Sequence, residues 1–216
     1  MVPGGLSEPE LRKRFAELWA RLGGHGDVQP IVDSLLGGWT EPHRRYHGLD
    51  HLRDCLARLD ESPAVGAERD LAEAALWYHD LVYRPAASDN EARSAELARA
   101  ALVESGAPEA TADEVARLVR VTDHVAPPED PVGELVCDVD LSVLGRPAGE
   151  FDEYERRIRE EYRQVPGPSY REGRARLLAK LLSRDPLFRT DYFRRRYEDS
   201  ARRNLRRSLD SLARGA

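Results

Sequence analysis

The 216 residues and 24.3 kDa of this chain fit one large domain or two very small ones, and 41% hydrophobic with 33% charged residues provides a real core under a well-hydrated surface. No apolar run approaches the ~20 residues of a membrane helix, no basic-then-apolar leader opens the chain, and Cys55 and Cys137 are too few for a disulfide framework; membrane, secreted and fibrous classes are excluded and a cytoplasmic setting is expected. Acidic residues outnumber basic ones 39 to 33, for a net charge of −6, the opposite sign to a protein that grips nucleic acid through its phosphates.

The pattern along the chain is helix after helix. Ser7-Glu8-Pro9-Glu10 is a capping box opening an amphipathic helix with Leu11, Phe15, Leu18, Trp19 and Leu22 at helical spacing, ended by Gly23-Gly24. Asp27 is placed to cap a short second helix through Ile31, Leu35 and Leu36, closed by Gly37-Gly38. A third helix carries Leu49, Leu52, Leu56 and Leu59, with Pro63 beyond its end. A fourth is expected from about Ala67 to Tyr83, broken by Pro85, and Ser88-Asp89-Asn90-Glu91 reads as a capping box for a fifth reaching Gly106. Further helices are expected over Glu109 to Val125, Val132 to Leu144, Phe151 to Val165, Tyr170 to Arg184 and Tyr192 to Leu212. Strand and hairpin signals are nearly absent. The prediction is an all-α chain of about ten helices: a single domain over residues 1–216, its core at about 39–165 and C-terminal helices 168–214 packed on it.

Few histidines are present, so their placement carries information. His47 and His51 are four apart; His79-Asp80 ends the apolar run Ala74-Ala75-Leu76-Trp77-Tyr78; Asp138 and Asp140 interrupt another in Cys137-Asp138-Val139-Asp140-Leu141. Ionised carboxylates in apolar helices are costly unless paired or bound to a cation, and a metal ion would neutralise them while taking imidazole lone pairs. Taken singly, each piece has a plainer reading: a helix-face histidine pair, a chance dipeptide, a helix cap or an arginine partner. Two His and two Asp together make a mixed nitrogen and oxygen set suited to Mn, Fe, Co, Ni or Zn more than to Mg or Ca.

The order His51, then His79-Asp80, then Asp140 resembles the H…HD…D ligand pattern of the HD-domain metal-dependent phosphohydrolases. Tyr46-His47-Gly48-Leu49-Asp50-His51, Trp77-Tyr78-His79-Asp80-Leu81-Val82-Tyr83, Asp89-Asn90-Glu91, Thr122-Asp123-His124 and Asp138 to Gly145 are similar to successive motifs of a bacterial subgroup of that family, with Arg159-Glu160-Glu161-Tyr162, Gly173-Arg174 and Ala201-Arg202-Arg203-Asn204-Leu205 following them. The resemblance runs from about Trp39 to Leu209.

It implies a helical HD-type domain in which His51, His79, Asp80 and Asp140 ligate a divalent transition metal, one tightly bound, with Mg a further option. His124 is the only histidine between the HD pair and the last Asp, which argues against a second tight metal. By the same resemblance His47 is a general acid, and Glu91 or His47 handles protons. His124 or an arginine would bind phosphoryl oxygens, with Arg44, Arg45, Asn90 and Arg174 as substrate-binding candidates. Plainer alternatives stand beside these: Glu91 as a helix cap, Arg44 and Arg45 as solvated residues at a helix start, Arg174 as an internal ion pair, Cys55 as a small buried apolar residue. The arginine-rich C-terminal stretch, interleaved with Glu198, Asp199 and Asp210, reads as a solvated, ion-paired helix face.

The expected activity is hydrolysis of a small phosphoester such as a nucleotide, monoester or cyclic diester, with no nucleic-acid or membrane partner and a homodimer left open. The alternatives are a nucleotide-binding or sensory module that keeps the metal site, and a scaffold in which the ion serves folding. No phosphate-binding Gly-rich loop, GxSxG elbow or CxxC pair is present to support kinase, dinucleotide, serine hydrolase or zinc-ribbon readings.

Overall fold

The first helix, α1 (Glu8–Arg21), starts at the Ser7 box: the Ser7 amide and hydroxyl both donate to the Glu10 carboxylate, at 2.7 and 2.6 Å. Its stripe of Leu11, Phe15, Leu18 and Trp19 is buried. In the computed structural model, which describes residues 5–85 and 87–214, α1 is followed by α2 (Gln29–Trp39), α3 (Leu49–Glu61), α4 (Gly66–Tyr78), α5 (Asn90–Glu104), α6 (Glu109–Arg120), α7 (Pro131–Leu141), α8 (Ala148–Glu161), α9 (Gly167–Leu182) and α10 (Asp191–Arg214). Short 3-10 turns at Val121–Asp123 and Ser142–Gly145 flank α7, and the described residues contain no strand. The all-helical architecture is the expected one. No helix among the described residues is long and apolar enough to cross a membrane.

The chain forms two compact units, Met1–Asp140 and Leu141–Ala216. In the first, α4 is the hub, packing on α1, α3, α5 and α6. Its last seven residues, Ala72 to Tyr78, are all buried, and the alanines among them let neighbouring helices approach closely. Phe15 meets Trp77 edge-on at 5.0 Å between ring centres, an arrangement that adds about 1 kcal/mol to simple burial. Glu73, 1% exposed on α4, is held by Arg14 (2.7 Å) and Arg69 (2.8 Å), so its buried charge is compensated.

Three expected boundaries are corrected by tertiary contacts. The Gly37-Gly38 pair does not close α2. A Cβ on Gly38 would lie 2.6 Å from the Leu81 side chain, so the glycine permits close packing and the helix continues to Trp39. The Trp39 indole N–H then reaches the Trp77 carbonyl at 2.9 Å. α4 stops at Tyr78 instead of running to Tyr83, with His79 as its C-cap, because the Asp80 and Leu81 carbonyls turn to the Arg44 guanidinium. The fifth helix begins at Asn90 with Asp89 at its N-cap and no capping bond from its side chain, so Ser88 lies outside the cap and Glu91 stands at N2, one position short of a box with Asp89.

In the second unit α10 packs on α9 and on the 3-10 turn at Ser142–Gly145. Its buried stripe of Phe193, Tyr197, Ala201 and Leu205 repeats every four residues. Asn204 donates from Nδ2 to the Leu144 and Arg146 carbonyls at 2.8 and 2.9 Å. The opposite face is ion-paired as expected, with Arg202 on Glu198 at 2.6 Å and Arg194 on Asp191. A Cβ at Gly145 would meet the Tyr197 backbone, its oxygen at 2.8 Å and Cα at 2.9 Å. Gly145→Ala is therefore expected to destabilise this unit by about 2–3 kcal/mol in a chemical denaturation series. An unchanged midpoint would show that α10 does not press on this turn.

Candidate metal centre

Three segments of the first unit bring the expected ligands together. His51 sits in the first turn of α3, His79-Asp80 at the end of α4, and Asp140 in the last turn of α7. His51 Nε2 and His79 Nε2 are 3.1 Å apart. Asp80 Oδ2 lies 3.1 Å from His79 Nε2 and 3.6 Å from His51 Nε2, and Asp140 Oδ1 lies 3.1 Å from His51 Nε2 and 3.6 Å from His79 Nε2. Donors bound at ~2.1 Å are separated by ~3.0 Å at adjacent octahedral positions and ~3.4 Å at tetrahedral ones. The spacing thus fits donors that share one ion.

The surroundings fit a cation as well. His51 and His79 are buried, at 4% and 2% exposure. His79 Nδ1 lies 2.9 Å from the Leu76 carbonyl, a contact that requires the proton on Nδ1 and leaves the Nε2 lone pair facing the other donors. Two carboxylates balance a divalent charge, and α4 and α7 both direct their C-terminal, partially negative ends here. Burial opposes charge on His79, yet Asp80 and Asp140 push its pKa well above the ordinary imidazole value. Burial likewise opposes ionisation of Asp80 and Asp140, but the neighbouring histidines hold both below the usual carboxylate range.

Cys55 lies one turn beyond His51, its Sγ 3.7 Å from His51 Nε2, and the buried His51, Cys55 and His79 with the half-buried Asp140 form a group whose donor atoms all lie within 4.8 Å of one another. This group could hold a metal ion. The cysteine thus adds a potential sulfur donor to a site for which the sequence weighed it as a buried apolar residue. Burial, with Asp140, Asp54 and Asp80 nearby, pushes its thiol pKa well up.

His47 precedes α3, beyond the extended Gly48, yet its ring centre is 5.8 Å from that of His51. It stacks on Tyr83 at 4.3 Å, and its charge is felt at Asp80. Trp39 and Tyr46 complete the aromatic surround, 5.4 Å from His79 and 4.8 Å from His51. Glu91 is half-buried; burial, with the charges of Asp80 and Asp123, raises its pKa, while a bond from its own backbone N–H at the start of α5 opposes the rise.

His124, in the left-handed conformation at φ 52°, brings Nε2 to 2.9 Å from Asp140 Oδ2, leaving Oδ1 facing His51 and His79. The contact orients this carboxylate; the resemblance implied that His124 or an arginine would bind phosphoryl oxygens. Burial opposes its protonation, but the bond to Asp140 carries its pKa up to about 10.

The substrate-binding candidates separate. Arg44 is buried, and its guanidinium donates to the His47, Asp80 and Leu81 carbonyls at 2.9, 2.6 and 2.8 Å and to Glu41 at 2.8 Å. It ties the His47 turn to the His79-Asp80 turn, a fixed internal post in place of the expected phosphate contact. Asn90 is corrected in the same way: its side chain accepts from the Arg84 amide at 3.1 Å and donates to the Arg84 carbonyl at 3.0 Å. Arg174, in the second unit, is buried with its guanidinium on Tyr154 Oη at 2.7 Å and on Glu155, the internal ion pair of the plainer reading. Arg45 is exposed on the turn before His47. The Arg44 clamp and the aromatic surround were missed as site features; the signal available was the clustering of Trp39, Tyr46 and Tyr83 around the histidine motifs. Comparison with family models, with curated proteins and with solved structures finds no match to this chain.

Proposed function

We propose that this chain is a metal-dependent phosphohydrolase acting on a small phosphoester, a nucleotide being the class its resemblance favours. The observation that carries the reading is the convergence of His51 Nε2, His79 Nε2, Asp80 Oδ2 and Asp140 Oδ1, with histidine-to-carboxylate distances of 3.1–3.6 Å, beside the half-buried His47. Nitrogen and oxygen donors with sulfur close by suit Mn, Fe, Co, Ni or Zn better than Mg. Such an ion, when bound, supplies Lewis acidity that lowers the pKa of water toward neutrality and polarises a phosphoryl oxygen.

The remaining work falls to side chains. His47, steadied by its stack on Tyr83, delivers a proton to the leaving oxygen. Glu91 takes the proton from the attacking water, a role suited to a carboxyl raised above its ordinary value. His124 keeps Asp140 in register, and the resemblance assigns Arg45 to the phosphoryl group.

The test is metal content by mass spectrometry on protein purified without chelator, coupled to phosphate release from a panel of phosphoesters with added Mn, Co, Ni and Mg. About one transition metal per chain with turnover is expected. His47→Ala should then keep the metal and lose turnover by roughly 10²–10⁴-fold. Absence of metal after supplementation would sink the reading, as would full activity in the His47 variant for the proton role.

A further inference from the structure

A cleft of about 570 Å³ lies wholly within the second unit, walled by α8, the start of α9 and the end of α10. None of its lining residues is a donor of the metal centre. Five arginines and two carboxylates line it, in a chain whose overall charge is −6. Both carboxylates are already committed: Asp152 pairs with Arg207 at 2.6 Å, and Glu155 holds Arg174 and accepts from the Ser208 hydroxyl at 3.1 Å. Arg156 is taken by Glu153 and Glu160.

Arg159 and Arg171 are different. Both are half-buried, and neither pairs with a carboxylate among the described residues. Arg159 is held in place without being neutralised: Nη1 donates to the Tyr162 carbonyl at 2.6 Å, and its guanidinium carbon lies 4.6 Å from the Tyr170 ring centre. Arg171 Nη1 reaches back over Gly167, 3.4 Å from where a Cβ would be. Partly desolvated guanidinium groups without a counter-charge are costly until an anion meets them, and their planar forks suit phosphate oxygens. The cleft volume is that of a small-molecule site, and the half-buried Tyr170 and Leu212 add ring and aliphatic surface beside the cations.

We infer that this cleft is a second ligand site, independent of the metal centre, that binds a phosphorylated small molecule with an apolar or aromatic body through Arg159 and Arg171. The group at the cationic end is a phosphate dianion; the body rests on Tyr170 and Leu212.

The full-length chain is titrated with phenylphosphonate, which cannot be hydrolysed, and followed by solution NMR at low salt. Saturable shifts at Ser208, Ser211 and the Arg159 and Arg171 side chains are expected, with a Kd of ~1 mM or tighter. Arg171→Glu and the milder Arg171→Gln should each weaken binding about tenfold or more. Arg194→Glu, outside the cleft on the same helix as Ser208, should leave it unchanged. Thermal midpoints of the variants verify folding, and two substitutions at one position guard against a misfolded one. Binding that both Arg171 variants leave within about twofold, or shifts confined to the His51 and Asp140 region, would overturn the proposal. So would the absence of saturable shifts.

Discussion

Asp140→Asn is expected to lower metal affinity on the order of 100-fold or more and to abolish phosphoester turnover, while leaving the helical content intact. The substitution keeps the shape of the side chain and removes the charge that faces His51 and His79 at 3.1 and 3.6 Å. It also converts the Oδ2 acceptor of His124 into a site that an amide NH₂ competes for, so the orientation of the ligand degrades with its charge. Metal content and turnover, measured on the same preparation, check this. Wild-type values for both would remove Asp140 from the centre. Loss of metal accompanied by global unfolding would point to an ion that serves folding.

Arg44→Met is expected to cost about 3–5 kcal/mol in chemical denaturation and to lower metal content as well. Methionine keeps most of the aliphatic stem between Trp39 and Tyr83, over which the guanidinium carbon lies at 5.7 and 5.5 Å, but leaves the buried Asp80 carbonyl and the partly buried His47 and Leu81 carbonyls without their donor. Arg44→Lys should recover only part of the loss, because one ammonium cannot span three carbonyls and Glu41. If Arg44 instead contacted substrate, stability would stay within about 0.5 kcal/mol of wild type and KM would rise.

Sequence periodicity was sufficient for the ten helices, because each carries its own apolar stripe and most have a local start or stop signal. It failed where a distant group decides the boundary. Gly37-Gly38 has the composition of a helix stop, but the packing partner that uses the missing Cβ is Leu81, far along the chain. Nothing local to Tyr78 says that α4 must end there; Arg44, on another segment, turns the following carbonyls away.

The donors of the candidate centre were legible for a different reason: charged and imidazole side chains interrupt apolar runs, which requires compensation. The roles around them were not. His124 and Asp140 meet through a left-handed turn that a single histidine does not announce. Arg44 beside the His47 turn looks like a phosphate ligand until its donors are followed to backbone oxygens.

His79 caps α4 and Asp140 stands in the last turn of α7. Two donors of the centre are therefore indexed by the lengths of rods. Each residue added within α7 would turn Asp140 by ~100° and shift it ~1.5 Å relative to the face that anchors the helix, enough to withdraw its carboxylate from the two imidazoles. The linker at 125–130 carries no donor and can change length while the helix stays seated. Insertions in this half of the chain thus divide into those absorbed by a loop and those that reset the gauge, and the permitted variation in length is set by the helices.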